Sequence, residues 1–313
     1  MTCRAGEPTD ARVSACVKRR VGEPAAASPR EVALRILAAR FPEEGVAADA
    51  GAHAGRPLFE LARFQEDAVT RARATLDRRG GVLVADSVGL GKTYVALALI
   101  EQELRRGGRA VVVTPAALRK DWTRPLARLA AATGARTWGL PAAAGGPGAA
   151  ASSAPGRAPA HALLAERASG RDEEDDDGAP AVPARGFLAW VSHARLSRGT
   201  HAPERIGPPD LVVVDEAHAF RSPRTRRYHA LAELCRGARV VLLTATPVNN
   251  SLLDLYALLR LFAGDAAFAD VGVPDLAQAL RAAATGGPAP ELRAVLAAVT
   301  IRRTRPFLRE HYG

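Results

Sequence analysis

The sequence DSVGLGKT, at residues 86–93, follows the apolar run GVLVA at residues 81–85 and precedes a helical pattern at residues 94–104. Its glycines permit a tight turn in which backbone N–H groups can wrap an anion, and the start of a helix adds a favourable dipole. We therefore predict a strand, a phosphate-binding loop and a helix. Asp86 occupies the position of the first Gly in the general P-loop pattern, so the alternative is an ordinary Gly-rich turn between strand and helix.

Two residues of this loop carry the expected chemistry. Lys92 is expected to reach the β- and γ-phosphates of a nucleotide, and the hydroxyl of Thr93 to ligate magnesium. The backbone around them, at Gly89, Leu90 and Gly91, is expected to cradle the phosphates. Lysine is rare in this chain, where the only others are Lys18 and Lys120. A compact ammonium here, in a chain that otherwise uses arginine, favours the phosphate-binding interpretation.

Four further apolar runs share the pattern of the first, at residues 110–114, 187–191, 211–214 and 240–243. Nearly continuous apolar strands are buried on both faces, which is typical of a parallel sheet covered by helices. We therefore predict an α/β fold with a mostly parallel sheet and helices on both faces. Ligands of such sheets bind at the carboxyl ends of the strands, so the residues that follow each run are candidates for a site.

The acidic motif DEAH follows the run at residues 211–214. A carboxylate at a strand end can hold magnesium, and its neighbour can orient or deprotonate an attacking water. We assign Asp215 to the metal and Glu216 to the water, and expect His218 to couple the site to the next strand. The alternative is a pair of acids favoured by the dipole at a helix start.

The sequence LTATPVNN, at residues 243–250, follows the last apolar run. We expect the hydroxyls of Thr244 and Thr246 to lie beside His218 and to relay the state of the nucleotide to a polymer-binding surface. The alternative is an ordinary turn with an Asn cap on the next helix.

These three motifs resemble motifs I, II and III of superfamily 2 helicases, in that order, and their sequences are similar to those of bacterial Swi/Snf-type DEAH-box members. The sequence departs from that family's motifs at Ser87 and at Ala245. Gln65, in the segment LARFQ, resembles the adenine-reading Q motif. Segments at residues 113–122 and 191–196 resemble motifs Ia and Ib, and Arg302 and Arg303 resemble the Arg-Arg segment that closes the first lobe. The resemblance covers about residues 58–310.

The resemblance implies a RecA-like lobe that uses ATP and Mg²⁺ and translocates on duplex DNA. It also suggests Thr114, Pro115, Ser192 and His193 as contacts to nucleic-acid phosphates, which track a backbone without reading sequence. The alternative for each of the four is a strand-end cap without a ligand. Trp122 is expected to be a packing residue.

The chain divides into a flexible tail with a short helix (residues 1–57) and the ATP-binding lobe (residues 58–313), which carries a low-complexity acidic insertion (residues 139–185). Motors of this class close ATP between two such lobes, and the second supplies an arginine that stabilises the transition state. No second series of motifs follows, so we expect a separate or missing second lobe and weak hydrolysis by this chain alone.

The composition limits the remaining alternatives. The net charge of +10 comes almost entirely from arginine, which also suggests the compositional bias of a GC-rich genome, so basicity supports nucleic-acid binding only weakly. Three scattered cysteines and the lack of a signal-like segment favour a cytoplasmic protein. The resemblance implies a bacterial cytoplasm, with association with the nucleoid as an alternative. A nucleotide-gated binding subunit of a larger complex and an RNA helicase of the same superfamily remain the alternative functions.

Overall fold

A computed structural model describes residues 57–140, 186–201, 203–245, 252–284 and 290–312. The tail with its expected helix and nearly all of the acidic insertion lie outside the described residues. In chain order, the elements are α1 (Arg63–Arg79), β1 (Gly81–Val84), α2 (Lys92–Arg105), β2 (Arg109–Thr114), α3 (Arg119–Thr133), β3 (Arg136–Trp138), β4 (Phe187–Ser192), α4 (His193–Arg198), α5 (Pro203–Ile206), β5 (Leu211–Asp215), α6 (Arg226–Cys235), β6 (Arg239–Leu243), α7 (Leu252–Leu259), α8 (Leu276–Ala284), α9 (Pro290–Val299), β7 (Thr300–Ile301) and α10 (Arg305–Tyr312).

The seven strands form one sheet in the order β3-β4-β2-β5-β6-β1-β7, and every strand pair is parallel. Alternate residues of each central strand enter two different apolar cores. Leu83 and Val212 face the core formed with α4, α6, α7, α8 and α9, whereas Val84 and Val213 face the core formed with α1, α2 and α3. The predicted α/β fold, with a parallel sheet and helices on both faces, is confirmed.

All five predicted strands are present, with ends that differ by one residue at most. The outer strands β3 and β7, which are three and two residues long, were not predicted from the sequence. Neither carries a run of apolar residues long enough to indicate a buried strand. In the described ranges, no helix combines the length and hydropathy needed to cross a membrane.

Candidate nucleotide site

The carboxyl ends of the central strands are in register. Leu243 of β6 pairs with Val84 of β1 on one side and with Asp215 of β5 on the other. A further hydrogen bond of 3.1 Å, from the backbone N–H of Thr244 to the carbonyl of Val84, continues this alignment beyond the strands. The P-loop, the DEAH motif and the start of the third motif therefore follow three adjacent strands at one edge of the sheet.

The P-loop is an open turn that ends at the first residue of α2. Gly89 and Gly91 have positive φ angles of 84° and 75°, in the left-handed region that glycine adopts without strain. The ammonium of Lys92 donates a hydrogen bond of 2.9 Å to the carbonyl of Asp86 and so lies folded back over the loop. Val88, at the tip, is 72% exposed. The loop is accessible, and its lysine lies close to the backbone that is expected to hold phosphates.

Gln65 lies against this loop. Its Nε2 donates a hydrogen bond of 3.2 Å to the carbonyl of Leu90, and its Oε1 accepts one of 3.0 Å from the N–H of Ala62. A Cβ atom added to Gly91 would stand only 2.3 Å from Nε2 of Gln65, so glycine is required for this close approach. The residue expected to read adenine is thus placed beside the loop expected to hold the phosphates.

Asp86, which departs from the general P-loop pattern, is completely buried. Its Oδ1 accepts hydrogen bonds from the backbone N–H of Arg303 at 2.7 Å and from Nε of the same residue at 3.1 Å. The guanidinium of Arg303 also donates to Oδ2 of Asp86. The departure from glycine therefore has a structural reason, because the loop begins with one half of a buried ion pair.

Asp215 is held by two donors at the end of β5. Its Oδ2 accepts a hydrogen bond of 2.8 Å from the indole Nε1 of Trp122, and its Oδ1 accepts one of 2.9 Å from the N–H of Glu216. Trp122 is buried, as expected of a packing residue, but it also orients this carboxylate. That second role was missed, because the sequence does not show which carboxylate faces the indole.

Glu216 has a φ of 49° and is the one non-glycine residue with positive φ in the described ranges. Such a conformation turns the chain sharply after β5. Oε2 of Glu216 lies 3.1 Å from Nδ1 of His218, which in turn lies 3.4 Å from the hydroxyl of Thr244. The structure thus brings together the acid expected to act on water, the coupling histidine and the first residue of the third motif. Thr246 lies outside the described residues.

The side chains assigned to nucleic-acid contacts have internal partners. The hydroxyl of Thr114 is buried, accepts a hydrogen bond of 3.0 Å from the indole of Trp190 and donates one to the carbonyl of Pro115. Ser192 caps α4 by accepting a hydrogen bond from the N–H of Arg195. These side-chain positions match the alternative of strand-end caps, and the Thr114 hydroxyl is not available to a phosphate at the surface. Pro115, half-buried, has no N–H to donate.

His193 joins the motif Ib segment to the DEAH motif. Its Nε2 lies 3.1 Å from the carbonyl of Asp215, and its ring contacts the edge of Phe220 with centroids 4.7 Å apart. Burial is the largest cause that lowers the pKa of His193; the hydrogen bond to Asp215 opposes the shift, the charges of Arg227 and His218 add to it, and the resulting pKa is about 4. The ring is therefore uncharged near neutral pH.

An arginine cluster follows the DEAH motif, within seven residues of sequence. Its members are Arg221, Arg224, Arg226 and Arg227. In the part of the chain that the structure describes, none of the four forms an ion pair. The guanidinium of Arg227 lies 5.9 Å from the centroid of Phe220, whose ring also contacts His193. The net charge of the whole chain, which is typical of its arginine-rich composition, does not indicate this local concentration.

The described residues fit a magnesium ion held partly by a nucleotide. They contain no group of three or more His, Cys, Asp or Glu side chains that could enclose a metal without help. Mg²⁺ is commonly bound by one or two protein oxygens together with phosphates and waters. Asp215 and the hydroxyl-bearing Thr93, at the start of α2, are oxygen donors of that kind. Each oxygen of Asp215 accepts one hydrogen bond and retains a further lone pair.

The strands, the phosphate loop and the acidic motif together form an α/β lobe with a candidate nucleotide site, and comparison with known proteins gives its relatives. Residues 192–305 match the SNF2-related domain. The chain is 22% identical over 192 residues to the uncharacterized ATP-dependent helicase YqhH of Bacillus subtilis, covering 58% of this chain and 26% of that protein. It is 26% identical over 215 residues to the mouse (Mus musculus) DNA repair and recombination protein RAD54-like, covering 64% of this chain and 24% of that protein.

Among solved structures, the SWI2/SNF2 ATPase core domain of Sulfolobus solfataricus has the same fold over 84% of this chain and 48% of its own, with a TM-score of 0.50 and 19% identity. The predicted resemblance to Swi/Snf-type ATPases is confirmed as a similarity to the SNF2-related domain. The chain spans about a quarter of the length of the curated relatives it matches. The finer assignments, to the DEAH-box group and to a bacterial type, stay predictions.

Proposed function

We propose that this chain is the ATP-binding lobe of a Swi/Snf-like, DNA-dependent ATPase that translocates on duplex DNA. The observation that carries the proposal is the register at the sheet edge, where Val84, Leu243 and Asp215 stand side by side at the ends of β1, β6 and β5. This register aligns the three loops that nucleotide hydrolysis needs. The similarity to the SNF2-related domain supports the choice of family.

In this proposal, the P-loop binds the nucleotide from two sides. Lys92 exchanges the carbonyl of Asp86 for the phosphates, and the N–H groups from Gly89 to Thr93 donate to phosphate oxygens. Gln65, already beside Leu90, offers its amide to the adenine edge. In this proposal, the base and the phosphates lie on either side of Gly91.

Hydrolysis then depends on the DEAH motif. Magnesium, when bound, would neutralise phosphate charge, with Thr93 and Asp215 as its protein ligands. Trp122 keeps the carboxylate of Asp215 fixed in orientation. Glu216 orients or deprotonates the attacking water, and His218 connects Glu216 to Thr244 through contacts of 3.1 and 3.4 Å. A change at Glu216 therefore has a direct route to the loop after β6.

We further propose that efficient turnover requires a second RecA-like lobe, on the same protein or on a partner chain. An arginine finger contributed across such an interface accelerates phosphoryl transfer by about a thousandfold or more. Alone, the lobe is expected to bind ATP with magnesium and to hydrolyse it slowly. A cytoplasmic, bacterial location is part of the same proposal.

The experiment that tests the proposal measures ATP hydrolysis with and without duplex DNA, by the native chain alone and mixed with a candidate second lobe. Lys92→Ala removes the phosphate-binding ammonium. Lys120→Ala, at an exposed position of α3, is the matched control. We expect DNA-stimulated turnover only in the mixture, abolished by Lys92→Ala and retained by Lys120→Ala. Equal hydrolysis by native chain and Lys92→Ala would contradict the proposed site.

The nature of the stimulating polymer separates the alternatives. Stimulation by duplex DNA in preference to RNA supports the translocase, whereas preference for RNA would identify an RNA helicase of the same superfamily. ATP binding without turnover in every mixture would instead identify a nucleotide-gated binding subunit.

A further inference from the structure

Arg303 lies between two parts of the candidate site, the P-loop and the segment that contains Gln65. It is 6% exposed, and it follows β7, the strand that lies beside β1. Its guanidinium and its backbone N–H all donate to the carboxylate of Asp86, the first residue of the P-loop. One arginine therefore satisfies the buried charge of that loop residue.

The other side of the same guanidinium contacts the segment expected to read adenine. Its Nη1 donates to the carbonyl of Phe64, and its central carbon lies 5.1 Å from the centroid of the Phe64 ring. Phe64 directly precedes Gln65. Arg303 thus spans the distance between the base side and the phosphate side of the site.

Backbone contacts strengthen this connection on the phosphate side. The N–H of Ser87 donates to the carbonyl of Arg303 at 3.1 Å, and the N–H of Ala85 donates to the carbonyl of Ile301 at 2.7 Å. Between them, the carbonyl of Asp86 holds the ammonium of Lys92. A displacement of Arg303 would therefore move the residue on which Lys92 rests.

We propose that Arg303 is a positioning residue that fixes the adenine-side segment and the P-loop relative to each other; this inference rests on the proposed function, in which the site binds ATP. The planar, forked guanidinium carries its N–H donors on separate nitrogens, so Arg303 donates to the carboxylate of Asp86 and the carbonyl of Phe64 together. Lysine keeps the charge, but its three donors share one nitrogen and do not reproduce this fork. In this proposal, Arg303 acts through its contacts with Asp86 and Phe64 and not through a contact of its own with the nucleotide.

The test compares the affinities of the native chain, Arg303→Lys and Asp86→Asn for ATP and GTP in the presence of Mg²⁺, with thermal unfolding measured in parallel. Arg239→Lys is the matched control. Arg239 also forms an ion pair with a buried carboxylate, that of Glu103, but it begins β6 at the opposite edge of the sheet. All three variants are expected to unfold at lower temperature, because each weakens an ion pair that is buried or partly buried.

The result that separates positioning from stability is the ratio of the affinities for ATP and GTP. In Arg303→Lys and Asp86→Asn we expect ATP affinity to fall by about tenfold or more. We also expect a smaller preference for ATP over GTP, because the segments that contact the base and the phosphates are no longer held at the spacing that suits one nucleotide. Arg239→Lys should keep the native ATP affinity and the native ratio of the affinities for ATP and GTP. An unchanged ratio in a folded Arg303→Lys would overturn the inference and leave the proposed function intact, whereas a native chain that binds no ATP would overturn both.

Hydrogen exchange on the native chain tests the same connection without a variant. Inorganic tripolyphosphate has no base, so it engages only the P-loop. We expect it to slow exchange in peptides that cover residues 300–305 as well as in the loop, because the N–H of Arg303 is bonded to Asp86. Protection confined to the loop would overturn the inference.

Discussion

The indole Nε1 of Trp122 donates a hydrogen bond of 2.8 Å to Oδ2 of Asp215, and both side chains are buried. Trp122 belongs to α3, which follows β2, whereas Asp215 ends β5. The bond therefore connects the segment that resembles motif Ia to the carboxylate proposed to hold the metal. It makes the orientation of Asp215 dependent on the packing of a helix that does not itself carry the acidic motif.

The Trp122→Phe variant is expected to keep the packing and lose this donor. A hydrogen bond to a charged group contributes about 2 kcal/mol, so the free energy of unfolding should fall by about that amount in urea denaturation. The Mg²⁺ concentration that half-saturates ATP hydrolysis should rise several-fold, because the carboxylate is no longer held. Trp190→Phe, which removes a buried indole bond to Thr114, should lower stability by about 1 kcal/mol without changing the Mg²⁺ requirement. Equal Mg²⁺ requirements in the two variants would contradict an orienting role for Trp122.

Gly91→Ala should abolish nucleotide binding. Its φ of 75° is strained for alanine, and the new Cβ would collide with Nε2 of Gln65 at 2.3 Å. Gly237 has nearly the same φ, 76°, but a Cβ there meets nothing within 4 Å. Both variants should lose about 1 kcal/mol of stability from backbone strain, and calorimetric titration with ATP should show loss of binding only for Gly91→Ala. Normal ATP affinity in Gly91→Ala would show that Gln65 and the loop do not form one site.

The double variant Arg224→Ala/Arg226→Ala tests whether the arginine cluster contacts DNA phosphates. Each phosphate contact contributes about −0.9 to the slope of log affinity against log salt for duplex DNA. We therefore expect weaker binding and a slope less steep by about 2, measured by fluorescence anisotropy across a salt series. Arg71→Ala/Arg78→Ala removes the same charge from exposed positions on α1. The same loss of slope in both double variants would indicate a general charge effect and not a local surface.

His193 makes the fold sensitive to mild acid. Its pKa is lowered to about 4 in the folded state, below the ordinary histidine value of 6.5. Between these values the unfolded chain binds a proton that the folded chain does not, so stability is full above about pH 6.5 and falls as the pH drops towards 4. The loss amounts to at most roughly 3 kcal/mol.

Urea unfolding in chelator-containing buffer at about pH 7.5, 6 and 5 measures this loss. In His193→Gln, whose amide can still donate to the carbonyl of Asp215, the dependence over this range should be shallower than in the native chain. Parallel pH profiles for the two proteins would show that another group carries the sensitivity.

The sequence predicted local features well, because their physical causes are local. Near-continuous apolar runs indicated the five central strands, and the glycines of the P-loop indicated its turn. The contacts between Trp122 and Asp215, 93 residues apart, and between Asp86 and Arg303, 217 residues apart, have no such signal. They depend on how the helices and outer strands pack, and a single sequence does not reveal that.

The distance along the chain between Asp86 and Arg303 also has a consequence for folding. β1 is synthesised before both of its neighbours in the sheet, because β6 begins at Arg239 and β7 at Thr300. Closing such distant contacts is slow. In a domain that is synthesised from its amino terminus, the early strands stay unpaired until the strands beside them have been made. On the ribosome, the loop at residues 86–93 therefore emerges long before its buried carboxylate has a counter-charge, and it acquires its final shape only when residue 303 leaves the exit tunnel.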